Sequence, residues 1–489
     1  MLYKIKGNTL LPSLLRFYCF FWVNAVHELS SSGRKSFALT WKRICILAVL
    51  LVAIPALMVW NHLGLFLDDI LFPNWKDEKV VQPVFIVGNA RSGTTFMHRL
   101  LTQADNDKLF TTMRTWEILF AVSVTWKILF WLIWKVDGLL FQLLWLDTEQ
   151  YGSGILANLV RHVERRILGG AMNVNSVHRV GLQEPEEDEW LMMHIGLSQL
   201  VLLAFPLGTA QMSEVIFFDH GHDPNPIPES SALLPSSVRS AIMSYYRQCV
   251  QRHLYAQNLK LHLSGGDGSI SSRKSSRRRS TRSSNYIFIS KNPPFTMRLH
   301  SLRARFPDAK CICMVRKPEN SVPSMVSYIG TLWSLFASPV VAYPQTKDLV
   351  DFCVAHYQYP QAAIHSGGNR YDSGNGSAPG SPSRSSANPP VVANDMNDEK
   401  EKGKNDVAVW PSKDAYFCRY EEAVKDPLRV IIHLMKCLYA GIDTTHMLLY
   451  LQDSKEMQRN YKSKHAYELE EVCQMSRQEL NAMFKDCVM

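Results

Sequence analysis

Pro83-Val-Phe-Ile-Val-Gly88-Asn-Ala-Arg91-Ser92-Gly93-Thr94-Thr95-Phe-Met-His98-Arg-Leu-Leu101 runs from an apolar strand through a glycine-bearing loop into the start of a helix. That order of elements makes a cradle for an oxyanion. Gly88 and Gly93 allow backbone N–H groups to approach a bound phosphate, and a helix beginning near Thr94 points its positive end at it. Arg91 and the hydroxyls of Ser92, Thr94 and Thr95 add charge and donors. An ordinary strand-to-helix turn would use the glycines but gives no reason for the arginine.

In phosphate loops of nucleoside triphosphatases, the second glycine is followed by a lysine that reaches the terminal phosphates and then by a Ser or Thr that holds magnesium. Thr94 stands here in the lysine position. The loop is therefore suited to phosphate and poorly equipped for a polyphosphate–magnesium complex.

A second anion site is predicted far downstream. Ala309-Lys-Cys-Ile-Cys-Met-Val315 reads as a buried parallel strand, and it ends in Arg316-Lys317-Pro318, with Ser324 near the start of the following helix. An arginine at the carboxyl end of a strand sits at the edge where doubly wound sheets bind ligands. The Arg316 guanidinium and the Ser324 hydroxyl would converge on one phosphate.

With both sites in view, the chain resembles the sulfotransferases that use 3′-phosphoadenosine-5′-phosphosulfate (PAPS), in particular their membrane-bound and microbial carbohydrate branch. The likeness rests on the Arg-Ser-Gly-Thr-Thr loop and on Arg-x-Pro with a serine eight residues after the arginine. Ser290-Lys291-Asn292-Pro293, Arg305-Phe-Pro-Asp-Ala-Lys310, Tyr416 to Glu422 and Tyr461 to Tyr467 add to it, so it extends from about residue 80 to 485 with two interruptions. The resemblance implies an α/β fold: a doubly wound, mostly parallel sheet with a P-loop-type phosphosulfate-binding loop. It further implies that Gly88, Arg91, Ser92, Gly93, Thr94 and Thr95 hold the 5′ end of PAPS, that Arg316 and Ser324 hold the 3′-phosphate, and that Lys462 and His465 close over the nucleotide.

Sulfuryl transfer, like phosphoryl transfer, is an in-line displacement through a loose transition state, with charge growing on the departing oxygen. Lys291, closing the strand Tyr286-Ile-Phe-Ile-Ser290, is placed to stabilise that charge; a surface lysine ending a strand is the plainer account. Family members that use a histidine shortly after this lysine have no counterpart in Asn292-Pro-Pro-Phe295, so the base must lie elsewhere. The acidic run Gln183-Glu184-Pro-Glu-Glu187-Asp188-Glu-Trp190 supplies candidates, Glu184 and Glu187 first. A helix starting at Pro185 would set Glu184 and Asp188 a turn apart, although acidic residues in a first turn also suit the helix dipole. His98, His162, His178 and His465 are reserves. Their spacing and that of the cysteines predict no metal site.

The 489 residues accommodate one interrupted α/β domain. Of the net charge of +9, six positive charges fall in one Ser-rich insert, at Arg273, Lys274, Arg277, Arg278, Arg279 and Arg282, and the near balance elsewhere argues against a nucleic-acid partner. Residues 263–284 and 366–406 are too polar to bury a core and are expected to be disordered inserts. Ten cysteines without close spacing leave the redox compartment open.

Residues 1–40 read as a tail and 41–62 as a transmembrane anchor, because Ile44 to Trp60 is apolar and basic residues precede it. That arrangement predicts a single-pass type II protein with a lumenal Golgi catalytic domain at 80–489. Leu10 to Val26 is also apolar, though broken by Pro12, Arg16 and Asn24, and a second span there would reverse the topology. Trp116 to Leu146 is either core and acceptor-pocket wall or a segment on the membrane interface, and lipid contact would favour a glycolipid acceptor over a soluble sugar. Asn375-Gly-Ser377 is a glycosylation sequon.

The expected function is transfer of a sulfonate to a hydroxyl of a carbohydrate or glycolipid. The alternatives are a P-loop nucleotide hydrolase or kinase and a non-catalytic nucleotide-binding membrane protein. The sequence does not reveal the oligomeric state.

Overall fold

The computed structural model describes residues 41–105, 109–143, 154–164, 166, 181–199, 214–219, 234–264, 286–335, 346–366, 409–411, 415–438, 445, 447, 468–485 and 487. The sequon, the segment 10–26, His178, Lys462, His465 and nearly all of the two expected inserts lie outside the described residues.

A six-stranded sheet organises the chain. Its strands are β1 (Val84–Gly88), β2 (Phe110–Thr111), β3 (Ile287–Lys291), β4 (Lys310–Val315), β5 (Val409–Pro411) and β6 (Ala415–Arg419), in the order β2-β3-β1-β4-β6-β5. All pairings are parallel except that of β5 with β6. The strand order reverses between β1 and β4, and the crevice beyond the carboxyl ends of strands at such a switch point is where open α/β sheets bind ligands.

The strands are uniformly apolar because both faces are covered. Phe85 and Val87 point into one layer with Phe288, Cys311, Cys313 and Phe417; Val84 and Ile86 point into the other with Ile289, Ile312, Met314 and Tyr416. The first layer is closed by α6 (Ser236–Leu263), α8 (Pro318–Leu335) and α9 (Thr346–Ser366), which contribute Tyr246, Val326 and Cys353. The second is closed by α2 (Thr94–Asp105) and α11 (Pro427–Leu438), through Met97, Leu101, Ile431 and Leu434. Burying each such side chain contributes about 1.5–3 kcal/mol before chain entropy is counted.

Other elements frame this domain. An apolar helix, α1 (Trp41–Leu71), precedes it and is long enough to cross a membrane; it runs on to Leu71, past the end expected at residue 62. The segment from Trp116 onward forms α3 (Thr115–Phe120) and α4 (Val124–Leu143), followed by α5 (Ile155–Glu164). A short α7 (Leu299–Arg305) leads into β4, and α10 (Tyr420–Lys425) leaves β6. The expected C-terminal helix is two short ones, α12 (Leu469–Cys473) and α13 (Arg477–Met483), separated at Gln474, whose φ of 53° ends the first.

The acidic segment differs from the expected helix. Pro185 pairs with Arg114 in an isolated antiparallel bridge, and helical geometry begins only at Asp188, as a 3-10 helix to Ile195. The preceding residues turn, with Glu184 N bonded to Gly181 O (3.1 Å), and bonds from Thr115 N to Glu184 O (3.1 Å) and Trp116 N to Leu182 O (3.0 Å) hold that turn against the start of α3.

Candidate active site

The loop after β1 has the backbone its glycines predict. Gly88 and Gly93 have φ of 136° and 94°, and Arg91 itself has φ 66°. A Cβ on Gly88 would lie 2.3 Å from the Met314 carbonyl of β4, and one on Gly93 would lie 2.2 Å from the Tyr420 ring. Only glycine fits at either position. Thr296 pins the turn by donating to Gly88 O (2.9 Å) and accepting from Gly88 N (2.8 Å). Thr94 and Thr95 then open α2, whose first N–H groups have no partner within the helix.

The two predicted anion sites, 225 residues apart in sequence, meet across the switch point. Arg316 follows β4 and donates from Nη1 to the backbone oxygen of Arg91 (3.0 Å); Arg91 Nε donates to Ser324 Oγ on α8 (3.0 Å). Tyrosines back both guanidiniums: Arg316 lies 4.8 Å from the Tyr420 ring centre and Arg91 5.7 Å from that of Tyr328. Tyr357 donates to the Arg316 carbonyl and fixes the strand end. The Ser92 hydroxyl and Arg316 Nε are buried without a hydrogen-bond partner. Buried donors left open at a helix start and a strand end are what an anionic ligand would satisfy.

Lys291 forms a second centre at the same sheet edge. It is the last residue of β3, opposite Ile86 of β1, and is fully buried. Its Nζ lies 2.7 Å from Glu186 Oε1, 3.2 Å from Glu187 Oε1 and 3.4 Å from Thr95 Oγ1. Burial disfavours the ammonium, but the two carboxylates outweigh it and raise the Lys291 pKa above its ordinary value. The lysine is therefore charged. Glu186 is 2 % exposed and serves as its inner counter-ion, whereas the Glu187 side chain is 24 % exposed.

Asp188 locks this arrangement in place. Its carboxylate accepts from Tyr246 OH (2.6 Å), Ser290 Oγ (2.7 Å) and Asn292 Nδ2, so it ties the acidic segment to both residues flanking Lys291. Burial pushes its pKa up to about 6 against those donors. Glu189, beside Arg298 (3.2 Å), is likewise pushed up to about 7 by burial.

Among the sequence candidates, Gly88, Arg91, Ser92, Gly93, Thr94, Thr95, Arg316 and Ser324 gather at the β1–β4 crevice, and Glu187 meets Lys291 beside it. Glu184 and Asp188 do not share a helical turn, because Pro185 is held in the bridge to Arg114. The Glu184 carboxylate lies 3.8 Å from Arg99, while Asp188 is enclosed behind β3. His98 is buried, bonded to Thr112 Oγ1 (2.9 Å) and pushed down to about 3, first by burial and then by Lys291, so it is neutral. His162 is exposed on α5.

Sequence reasoning did not single out Glu186, Thr296, Tyr328 or Tyr420. Glu186 and Tyr420 stood inside motifs already quoted. Thr296 and Tyr328 carried no signal.

A model of the sulfotransferase family matches residues 159–371, a span that holds the acidic segment, Lys291, Arg316 and Ser324 and begins downstream of the Gly88–Thr95 loop. Two solved structures share the fold. Sulfotransferase STF9 from Mycobacterium avium has a TM-score of 0.56 at 14% identity, covering 98% of this chain and 94% of its own. Sulfotransferase STF1 from Mycobacterium tuberculosis H37Rv has a TM-score of 0.50 at 15% identity, with 96% and 92% covered. No curated protein matches by sequence. The chain is thus similar over residues 159–371 to the sulfotransferase family, which implies PAPS as the donor, and it shares its fold with two sulfotransferases.

Proposed function

We propose that the protein transfers the sulfonate of PAPS to a hydroxyl of a carbohydrate or glycolipid. The observation that carries this reading is the meeting of Arg91, Arg316 and Ser324 at the switch point, where a nucleotide with phosphates at both ends of its ribose would find cations and hydroxyls for each. The Gly88–Thr95 loop receives the 5′-phosphosulfate, with Arg91, Ser92, Thr94, Thr95 and the first amides of α2 as donors. Arg316 and Ser324 receive the 3′-phosphate.

Lys291 is the cation for the charge that grows as the sulfur–oxygen bond to the 5′-phosphate breaks, and its contact with Thr95 supports a place beside the loop. Glu187 is the base. It lies against Lys291 yet remains partly open, so an acceptor hydroxyl can reach it, whereas Glu186 is enclosed as the lysine's counter-ion. The hydroxyl proton passes to the Glu187 carboxylate, the acceptor oxygen bonds to sulfur, and adenosine 3′,5′-bisphosphate departs with the electrons of the broken bond.

The apolar α1 after a basic flank supports a type II protein with its catalytic domain in the Golgi lumen. Purified full-length protein incubated with 35S-labelled PAPS and a panel of glycans and glycolipids tests the function. Labelled product is expected from wild type, and Glu187→Gln is expected to lower turnover by about 100-fold or more with little change in affinity for adenosine 3′,5′-bisphosphate. An unaltered rate in that variant removes Glu187 as the base; labelling of no acceptor in the panel contradicts the acceptor class.

A further inference from the structure

α4 has an unusual outer face. Its inner side is conventional: Val124, Trp126 and Ile128 are buried, and Lys127 donates to the Ala121 carbonyl (2.6 Å). Its outer side carries Leu129, Leu132, Ile133, Val136, Leu139 and Leu140, all exposed, at the spacing of one continuous helical stripe. Neighbouring α5 extends this surface with exposed Ile155, Leu156, Leu159 and Val163, and it is fastened to α4 by Leu156 N donating to Asp137 Oδ1 (3.0 Å). A contiguous apolar surface of this kind marks a protein or membrane contact.

The attachment of α4 to α1 identifies the partner. Trp60 of α1 stacks on Trp126 of α4 with centroids 4.1 Å apart, and a Cβ on Gly64 would sit 2.3 Å from the Trp126 ring nitrogen. Asp68 of α1 caps the start of α4, accepting from Val124 N (2.9 Å) and from Thr125 N (2.8 Å). Ahead of that junction α1 displays Val49, Leu51, Val52 and Val59. A bilayer that takes up this half of α1 ends near Trp60, at the level where α4 begins, and tryptophans are the side chains favoured at that boundary. The exposed stripe of α4 then starts where the lipid surface lies.

Behind α4 is a cavity of about 280 Å³. Trp131 and Trp134 of α4 wall it together with Trp116, and Arg114, Gln183 and Lys260 supply polar groups. Aromatic faces beside fixed donors and acceptors suit a ring bearing hydroxyls. The cavity is linked to the proposed reacting centre through its wall: Thr112 bonds His98, three residues after the Thr95 that contacts Lys291, and Gln183 precedes the acidic segment.

We infer that α4 and α5 lie in the boundary of the bilayer that α1 crosses, and that the tryptophan-walled cavity behind α4 takes its acceptor from that bilayer, as the hydroxylated headgroup of a membrane lipid. The acceptor half of this inference rests on the proposed sulfotransfer at Lys291 and Glu187; the membrane half does not. Two arms keep them apart. In the first, full-length Val136→Cys and Leu159→Cys proteins are spin-labelled and reconstituted in phosphatidylcholine vesicles, and collisions with oxygen and with a water-soluble nickel chelate are compared. Oxygen is expected to dominate at both sites. Chelate dominance, which means water, or shielding from both reagents, which means a protein partner, overturns the membrane contact.

In the second arm the Leu132→Asn/Leu139→Asn variant is assayed with galactosylceramide in the same vesicles and with soluble methyl galactoside. The rate on the embedded lipid is expected to fall roughly tenfold or more, because the advantage of a shared surface is lost, while the rate on the glycoside stays within about twofold. Equal changes on both, or no change on either, overturn lipid delivery. A wild-type enzyme that sulfates neither substrate overturns the acceptor class, and the label readout still judges the membrane contact by itself.

Discussion

Lys291 shows how a buried charge is held in place by paired carboxylates, as the role proposed for it requires. With no exposed surface it depends on Glu186 and Glu187, and taking one carboxylate away leaves the ammonium under-compensated. Glu186→Gln is therefore expected to cost about 3 kcal/mol or more in denaturant unfolding, with Glu187→Gln costing less because that side chain is partly solvated. Asp188 gives a pH signature. Its folded pKa of about 6 lies above the ordinary aspartate value, so between about pH 4 and pH 6 the folded chain holds a proton that the unfolded chain has released. Its contribution to stability is greatest at the acid end and declines as the pH rises through that window. Asp188→Asn should abolish that component, so the stability difference between wild type and variant should drift against wild type from pH 4 to 6; a constant difference would show that Asp188 is ionised throughout. The acidic run was legible as the source of a base, because five carboxylates stand around Pro185. The sequence did not reveal which of them turn inward, because that depends on the bridge between Arg114 and Pro185, a pairing of segments distant in sequence.

At the scale of elements, β1, β3, β4 and β6 were legible as short apolar runs, since strands buried on both faces need no alternation. The loop after β1 was legible because its glycines and hydroxyls carry local backbone chemistry. Pro185 misled because a proline suits a first helical turn but equally suits a bridge whose bond is accepted by the preceding Glu184 carbonyl and asks nothing of the proline nitrogen. The short pieces near the C-terminus follow the same logic: a left-handed Gln474 interrupts a pattern whose periodicity alone reads as one helix. The loop supplies a sharp test of its own. Gly93→Ala places a methyl group against the Tyr420 ring at φ 94°, which costs about 1–3 kcal/mol in backbone strain. Tyr420 also backs Arg316, so its displacement should disturb the crevice on both sides. A lowered melting temperature together with weakened binding of adenosine 3′,5′-bisphosphate is expected; unchanged binding would separate the loop from the ligand site.

Over the whole molecule, α4 and the acidic segment join the apolar α1, long enough to cross a membrane, to the crevice proposed for the nucleotide. His194, in the 3-10 helix that begins at Asp188, lies 3.3 Å from Asn61 of α1, so α1 and the acidic segment share one packed unit. A lumenal domain predicts glycosylation at Asn375 when the protein is made in animal cells. An endoglycosidase-sensitive mass shift that disappears in Asn375→Gln would support that orientation, and modification of engineered sequons at the amino terminus instead would reverse it. The account as a whole depends on Arg91 and Arg316 serving opposite phosphates of one nucleotide. The most direct measurement is calorimetric titration of wild type and Arg316→Ala with adenosine 3′,5′-bisphosphate and with adenosine 5′-monophosphate. Wild type should prefer the bisphosphate, and the variant should lose about 2–5 kcal/mol of bisphosphate binding while its affinity for the monophosphate hardly changes. Equal affinity of wild type for the two nucleotides, or a variant that keeps the preference, would contradict the assignment.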